Sequence, residues 1–526
     1  MDPLASITGI FTVSSNDFKC IVEGFKQEYE QGLSTSSAVG LATMIPSFVT
    51  KLPTGNETGT YLSLDLGGSN LRVSAVHLIG NGQVQVRDVR RSISNAQRTS
   101  SIPDFFDWIA DAVAELCSVV APSLETQDEP MRMGVCWSFP LNQTDIATGT
   151  ILRMGKGFTL DGIEGQDLAS LLHQAFARKD LNIVVTALIN DAVGTLVAHA
   201  YANPRACAGF IYGTGVNAAY PENIDRITKL QRVNDHLNNQ QFMLVNTEID
   251  IFGSDASYLP QNRFDLALDA EHSQPGFQLY EKMMSGAYLG ELVRLVAVEL
   301  ITEHGSLFQG NMPKQLADPW SFTTVLMSTI ESEVVERENQ PIINKWFEFE
   351  NGYRPSNQDM ECFVKICRLV SSRAASLAAA AIASLIEQQQ LHVDTNNRPI
   401  VIGVNGSTFE KYPTMPRRIC EALQEWFDPQ IGSRIQLELA SDGGSIGGAL
   451  VAMLYHSYAP ALASQHPETA KDTEGEDMDK SSPTCLEPLV HATRRLARPF
   501  KKWLQKRHSR KGSNASKQRI EEKTQE

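Results

Sequence analysis

The sequence predicts an α/β protein organised as two related lobes, and three observations carry that prediction. Helical periodicity alternates along the chain with short, strand-like apolar runs, the pattern of a mixed α/β fold. At 526 residues with 42% hydrophobic content, the chain is long enough for two large cores plus appendages. Two glycine turns about 145 residues apart, each between apolar strands, echo one another as the halves of a repeated plan would.

Taken in order, helical periodicity marks residues 14–33, 103–121, 278–302 and the Ala-rich 360–388. Strand-like runs fall at 61–66, 71–78, 133–139, 182–189, 209–212, 242–248, 399–404 and 434–440. The N-terminus, MDPLASITGIF, has no basic segment ahead of an apolar run, and no stretch approaches 18 uninterrupted apolar residues. A cytoplasmic location is therefore expected. The eight cysteines lack CxxC spacing and histidine partners, which reads as reduced thiols.

The formal charge of −15 is unevenly spread. Residues 491–520 hold eleven Lys and Arg and no acid, so the rest of the chain carries 35 basic against 61 acidic residues. An acidic body argues against nucleic-acid binding by the main fold. The Asp/Glu/Ser-rich stretch 464–484 marks the end of the globular part. Beyond it, the basic tail reads as a solvated extension, as a nuclear-import signal read by import factors, or as a contact with anionic membrane.

Three polar glycine clusters carry the chemistry. In YLSLDLGGSNLRV, Asp65 ends a buried-looking strand, Gly67 and Gly68 allow close backbone approach, and Ser69, Asn70 and Arg72 add donors. A bare hairpin fits that stretch too. The second cluster, GFIYGTGVNAAY, repeats the plan around Gly213, Thr214 and Gly215. Its lack of a third glycine and of a following helix argues against a Rossmann turn. The third, ASDGGSIGGALVAML, sets Asp442, Gly443, Gly444 and Ser445 ahead of a helix, an arrangement that offers backbone N–H groups to a phosphate. Between the first two, LINDAVGTL ends an apolar strand on Asn190-Asp191. Asp191 reads either as an N-cap or as a general base beside phosphate loops.

The stretch MGVCWSFPLNQTDIATGTILRMGKGF completes a set that resembles the eukaryotic hexokinases. The resemblance runs through MIPSFVTKLPTGNETGTYLSLDLGGSNLR, Ser138-Phe139-Pro140 with Gln143 and Gly149, Lys156-Gly157-Phe158, Asn190-Asp191, Gly213-Thr214-Gly215 with Asn217, Asn246-Thr247-Glu248, PGFQLYEK and GVNGSTFEKYP. It implies the actin-like, ribonuclease-H-like two-lobed fold with an inter-lobe cleft that closes over a sugar and excludes water. The implied division is an N-terminal helical part of the large lobe at 1–59, a small lobe at 60–187, the large lobe at 188–442, a helix returning to the small lobe at 443–460, and the tail at 461–526. By resemblance, Asp191 is the base for the sugar 6-hydroxyl and Lys156 a cationic residue beside it. Ser138, Phe139, Pro140, Gly155, Asn190, Asn217, Glu248 and Glu281 line the sugar site. Gly67, Gly68, Ser69, Asn70, Arg72, Gly213, Thr214, Gly215, Ser407, Asp442, Gly443, Gly444 and Ser445 meet ATP, and Asp65 meets Mg2+ through water.

The chain also departs from the family pattern. Trp-Thr-Lys-Gly-Phe becomes Met154-Gly155-Lys156-Gly157-Phe158, Asn-Asp-Thr becomes Asn190-Asp191-Ala192, Asn-Thr-Glu-Trp-Gly becomes Asn246-Thr247-Glu248-Ile249-Asp250, and Asp-Gly-Ser-Gly becomes Asp442-Gly443-Gly444-Ser445. These changes resemble the fungal N-acetylglucosamine kinases built on the same fold, so the expected acceptor is N-acetylglucosamine. An ordinary glucose, mannose or fructose hexokinase and a catalytically weak sugar sensor are the alternatives.

Overall fold

The computed structural model describes residues 3–35, 43–120, 129–155, 157–230, 237, 239–336, 345–394, 396–440 and 442–457. Lys156 and the tail from 458 onward lie outside them. The described strands are β1 (Ile45–Pro46), β2 (Gly59–Leu66), β3 (Asn70–Gly80), β4 (Gln83–Ser92), β5 (Met131–Trp137), β6 (Leu141–Asp145), β7 (Thr148–Ile151), β8 (Ile183–Ile189), β9 (Ala206–Tyr212), β10 (Val216–Asn223), β11 (Phe242–Asn246), β12 (Ile400–Asn405) and β13 (Ile435–Leu439).

Two sheets repeat one topology. The first runs β4-β3-β2-β5-β8, and the second runs β1-β11-β10-β9-β12-β13. In each, three consecutive strands form an antiparallel meander, and two later strands add in parallel beside the first strand of that meander. The echo between the two glycine turns is therefore structural: each is the first hairpin of its sheet. Leu66 pairs with Leu71 across one turn and Tyr212 with Val216 across the other.

Each sheet has its own core. Helices Ile102–Val120 and Leu168–Arg178 cover the first sheet, burying Phe105, Phe106, Ile109, Leu172 and Phe176. The larger cluster contains Asn357–Gln388, packed on the N-terminal helix Ser15–Ser34 and on Met415–Trp426. This 32-residue helix is long and apolar enough to cross a membrane, yet 83% of its apolar window is buried inside the protein, so its hydrophobicity serves a core.

One predicted element is corrected. The continuous helix expected over 278–302 is two helices, Leu279–Met284 and Leu289–Thr302. In the break, the Ser285 hydroxyl donates to Thr214 O at 2.9 Å, Gly286 N to Gly213 O at 2.9 Å and Ala287 N to Thr214 O at 3.1 Å. Docking on the second glycine turn outweighs local helical propensity there.

Glycines let backbones touch where the sheets meet. A Cβ at Gly134 in β5 would land inside the carbonyl of Gly448, the first residue of helix Gly448–Leu454, which packs on β2, β5 and β8. A Cβ at Gly194 would strike Gly443 O, and one at Gly209 would lie 2.6 Å from Leu196 N. Gly134→Ala is expected to destabilise the protein by about 1–3 kcal/mol, the usual cost of overpacking. Denaturant unfolding against the parent protein measures it, and an unchanged midpoint would show that the helix can shift away freely.

Candidate active site

Helix Asp191–Ala202 begins directly after β8 and is capped by Asn190, whose Oδ1 accepts from Ala192 N at 2.8 Å. Asp191 is thus the first helical residue and not its cap. The helix packs on β9 on one side and on the turn Gly443–Gly447 on the other.

On the large-lobe side, three polar side chains form a connected wall. Asn217 Nδ2 donates to Asn246 Oδ1 at 3.0 Å and to Glu248 Oε1 at 3.3 Å, while Asn246 Nδ2 donates to the same Glu248 oxygen at 2.6 Å. Asn217 Nδ2 also lies 3.4 Å from the capping oxygen of Asn190, tying the wall to the Asp191 helix. Glu248 occupies the left-handed region at φ 50°, a strained position for a non-glycine residue and one that the amide contacts hold. Glu281 joins from the broken helix, where its Oε2 accepts from Val216 N at 3.0 Å. A Cβ at Gly215 would lie 2.5 Å from that oxygen, so the glycine makes the contact possible.

A further acid stands in this wall. Asp250 is 8% exposed, and its Oδ2 accepts from Gln278 Nε2 at 2.6 Å. Burial, then the charge of Asp250, pushes the Glu248 carboxyl up to about 8; burial, then the charge of Glu281, pushes Asp250 up to about 7. Asp191 adds to the field at Glu248. Burial with the charges of Glu281 and Asp250 raises the Tyr288 phenol to about 12.

The nucleotide candidates gather on the other side. Asp65, at the end of β2, approaches the third glycine cluster so closely that a Cβ at Gly444 would strike its carboxylate. A serine at that position, as in the family pattern, does not fit this spacing. Arg72 bridges Asp88, Nε to Oδ2 at 2.6 Å, and forms an ion pair with Asp442, linking β3 to the turn. Asp442 Oδ1 accepts from Ser445 N at 3.2 Å. Thr214 and Ser407 are exposed, with Gly213 and Gly406 packed together beneath them. Gly67 N closes the first turn on Asn70 O at 3.1 Å, leaving Ser69 and Asn70 exposed and Gly68 half-buried.

Other expected site residues make contacts of their own. The Phe139 ring is packed between Trp137 and Phe158 in the small-lobe core, Pro140 is exposed, and Ser138 N donates to Leu66 O at 3.2 Å. The Ser445 hydroxyl is buried and bonded to Ser74 at 3.1 Å, so only its backbone can face a nucleotide. Gly155 has no heavy atom within 4 Å of a Cβ placed on it, and its φ is not positive. Sequence reasoning passed over Gln143, whose Nε2 donates to Leu188 O at 2.9 Å and to Ser47 O at 3.2 Å, joining the two sheets below Asp191. It also passed over Asn246, Asp250 and Gln278 as site residues, although all three stand in the motifs quoted above.

Among the described residues no group of three or more His, Cys, Asp or Glu side chains could hold a metal. Asp65 fits Mg2+ only as a single carboxylate at the glycine turns, beside phosphates that would supply the remaining oxygen ligands.

Two sheets of like topology, each opening on a glycine hairpin, define a two-lobed α/β fold. Models of the hexokinase family match residues 3–201 and 207–454. The chain is 32% identical over 454 residues to hexokinase-1 of Schizosaccharomyces pombe, covering 86% of this chain and 90% of the relative. It is 34% identical over 445 residues to hexokinase-2 of rice, covering 84% and 88%. A solved hexokinase from Schistosoma mansoni complexed with glucose is 30% identical, with a TM-score of 0.69 over 85% of this chain and 97% of that one. The chain belongs to the hexokinase family, whose chemistry is phosphorylation of a hexose by ATP. The narrower expectation of an N-acetylglucosamine kinase gains no support from these relatives.

The raised carboxyls have a consequence for stability. Their ordinary values are 4.5 and 3.8, so between those and about 8 the folded protein holds protons that the unfolded chain releases. The stabilisation is fully present below the unfolded values and is lost as pH rises through the folded ones. Without ligand, the thermal midpoint is expected to fall as pH rises from about 5 to about 8, and Glu248→Gln to flatten that fall. Calorimetric scans across the pH series check both.

Proposed function

We propose that this protein transfers the ATP γ-phosphoryl group to the 6-hydroxyl of a neutral hexose such as glucose or mannose, with Asp191 accepting the hydroxyl proton. The observation that carries the reading is the placement of Asp191, one residue after the Asn190 cap and linked through that cap to the Asn217–Asn246–Glu248 wall. Amides and carboxylates held in fixed positions suit a polyol, because a buried acceptor left unpaired by the wrong ligand costs about 1–3 kcal/mol. The glycine turns supply backbone for the phosphates, and Arg72 adds positive charge at the Asp442 turn. Mg2+ bound at Asp65 would neutralise phosphate charge.

Phosphoryl transfer asks the protein chiefly for positioning and charge stabilisation. Asp191→Asn is expected to lower kcat by roughly two to four orders of magnitude, since general-base catalysis is typically worth that much. The thermal midpoint and sugar binding should survive, because Asn190 and not Asp191 caps the helix. An unchanged kcat would remove Asp191 from the chemistry. A protein that binds hexoses yet turns over none would instead favour the sensor reading.

Gly155 keeps a second reading open, a preference for N-acetylglucosamine. Because nothing lies within 4 Å of its Cβ position and its φ is ordinary, a threonine can be installed there without strain. If the open space admits an acetamido group, Gly155→Thr shifts kcat/KM toward glucose by about tenfold or more, about 1.4 kcal/mol of differential transition-state binding. A wild type that phosphorylates glucose with no turnover of N-acetylglucosamine would close this reading.

A further inference from the structure

Where helix Met415–Trp426 starts, a cavity of about 110 Å3 is lined by Arg368, Arg417, Arg418, Thr414, Pro413 and Glu331. None of these six is a sugar or nucleotide candidate. Three guanidiniums converge here in a chain that, outside residues 491–520, carries 35 basic against 61 acidic residues. Arg368 and Arg417 are exposed and give the cavity a solvated mouth, while half-buried Arg418 and buried Glu331 form its inner side. Arg418 is held in place, for its Nη1 donates to Ser371 Oγ at 2.6 Å and its Nη2 lies 3.4 Å from Glu331 Oε1. Glu331 is the one lining carboxylate, and it also accepts from Ser371 Oγ at 3.3 Å. Arg417 reaches Glu421 at 3.5 Å, but both side chains are largely exposed, and such a pair is worth little. Among the described ion pairs none involves Arg368.

The helix adds to the same field. Its cap, Thr414, stands in the left-handed region at φ 63°, makes no side-chain capping hydrogen bond and leaves its hydroxyl without a partner. The positive end of the helix dipole therefore meets the cavity with no side-chain acceptor supplied by the cap. Three lining arginines against one engaged carboxylate leave an excess of two positive charges and many more donors than acceptors. A sugar, which needs both, is poorly served; a tetrahedral oxyanion, which only accepts, is well served, because the guanidinium fork pairs with phosphate oxygens two at a time. A second cavity, of about 510 Å3, lies between helices Pro3–Phe11 and Asn357–Gln388, shares Arg368 and adds Lys365, Leu4 and Leu369. We propose that Arg368, Arg417 and Arg418 form a binding site for a phosphate group, carried by inorganic phosphate or by a phosphomonoester whose remainder extends past Arg368 toward the second cavity. The proposal goes beyond the hexose-transfer reading and uses none of its residues.

The test is equilibrium calorimetry on the full chain at constant ionic strength, with inorganic phosphate and glycerol 1-phosphate as probes. Saturating ADP, Mg2+ and glucose are present throughout, so that phosphate binding at the glycine turns is blocked. The wild type should bind at least one probe with a Kd of about 1 mM or below. Tighter binding of glycerol 1-phosphate would assign the site to an ester, and equal or tighter binding of inorganic phosphate to the free ion; either supports the proposal. Arg368→Gln and Arg417→Gln, both at exposed positions, should each weaken that binding about fivefold or more without moving the thermal midpoint measured in the absence of probe. Arg368→Lys, which keeps the charge but not the fork, should recover part of the loss. No measurable binding of either probe, or binding unaltered by both glutamine variants, would overturn the proposal.

Discussion

Backbone contact between glycines, where no side chain fits, fixes the geometry of this molecule. Helix Asp191–Ala202 is held on one side by the Gly443–Gly447 turn, where a Cβ at Gly194, Gly443 or Gly447 would enter a neighbouring backbone or Thr195. On its other side, Gly209 of β9 meets Ala192 O and Leu196. The helix after that turn is fastened to the first sheet at Gly134 and Gly448. Protein interiors packed at this density transmit displacements instead of absorbing them. The position of helix Asp191–Ala202 relative to both sheets is therefore set by these backbone contacts.

The sugar-side wall is built on the opposite principle. It gathers Glu248, Asp250 and Glu281 where burial and mutual repulsion raise two of them toward neutrality, a cost built into the folded chain. Local devices hold the arrangement open: the left-handed backbone at Glu248, the Asn217–Asn246 amide pair, and the glycine at 215 that admits Glu281. Such a site is poised for a ligand that brings donors, and binding offsets the cost that folding leaves in place. The rigid seam and the frustrated wall meet at Asn190, which caps the helix and touches Asn217.

Sequence alone made the two glycine hairpins legible because period-two apolar patterning and paired glycines are local signals. Their equivalence as first hairpins of two like sheets followed from the echo between 61–73 and 209–220. The break at 285–288 was hidden, since it depends on hydrogen bonds from Ser285, Gly286 and Ala287 to a loop some seventy residues earlier, and tertiary contact overrides propensity there. Strand β4, QVQVRDVRRS, alternates with a mostly charged outer face, so its apolar signal is thin. Whether Asn190 or Asp191 caps its helix is a matter of one residue of register, which cap geometry resolves in favour of Asn190 and composition does not. Phe139 sat in a family motif yet serves the core, because a motif records what a segment needs to fold as well as what it binds.

The departures from the hexokinase pattern divide by what surrounds them. Ala192 is fully buried in the helix seam, where it meets only interior atoms. Gly444 and Ser445 form a paired exchange: the glycine clears the Asp65 carboxylate, and the displaced serine turns inward to Ser74. Asp65 thereby stays at the strand end while the turn closes against it, through a change that looks, in sequence, like damage. Gly155 and Asp250 are different in kind, since one leaves open space and the other adds a buried carboxylate. A departure is thus read from its surroundings: an exchange that repacks the turn around Asp65 leaves the strand end in place, whereas an added buried acid changes the field at its neighbours.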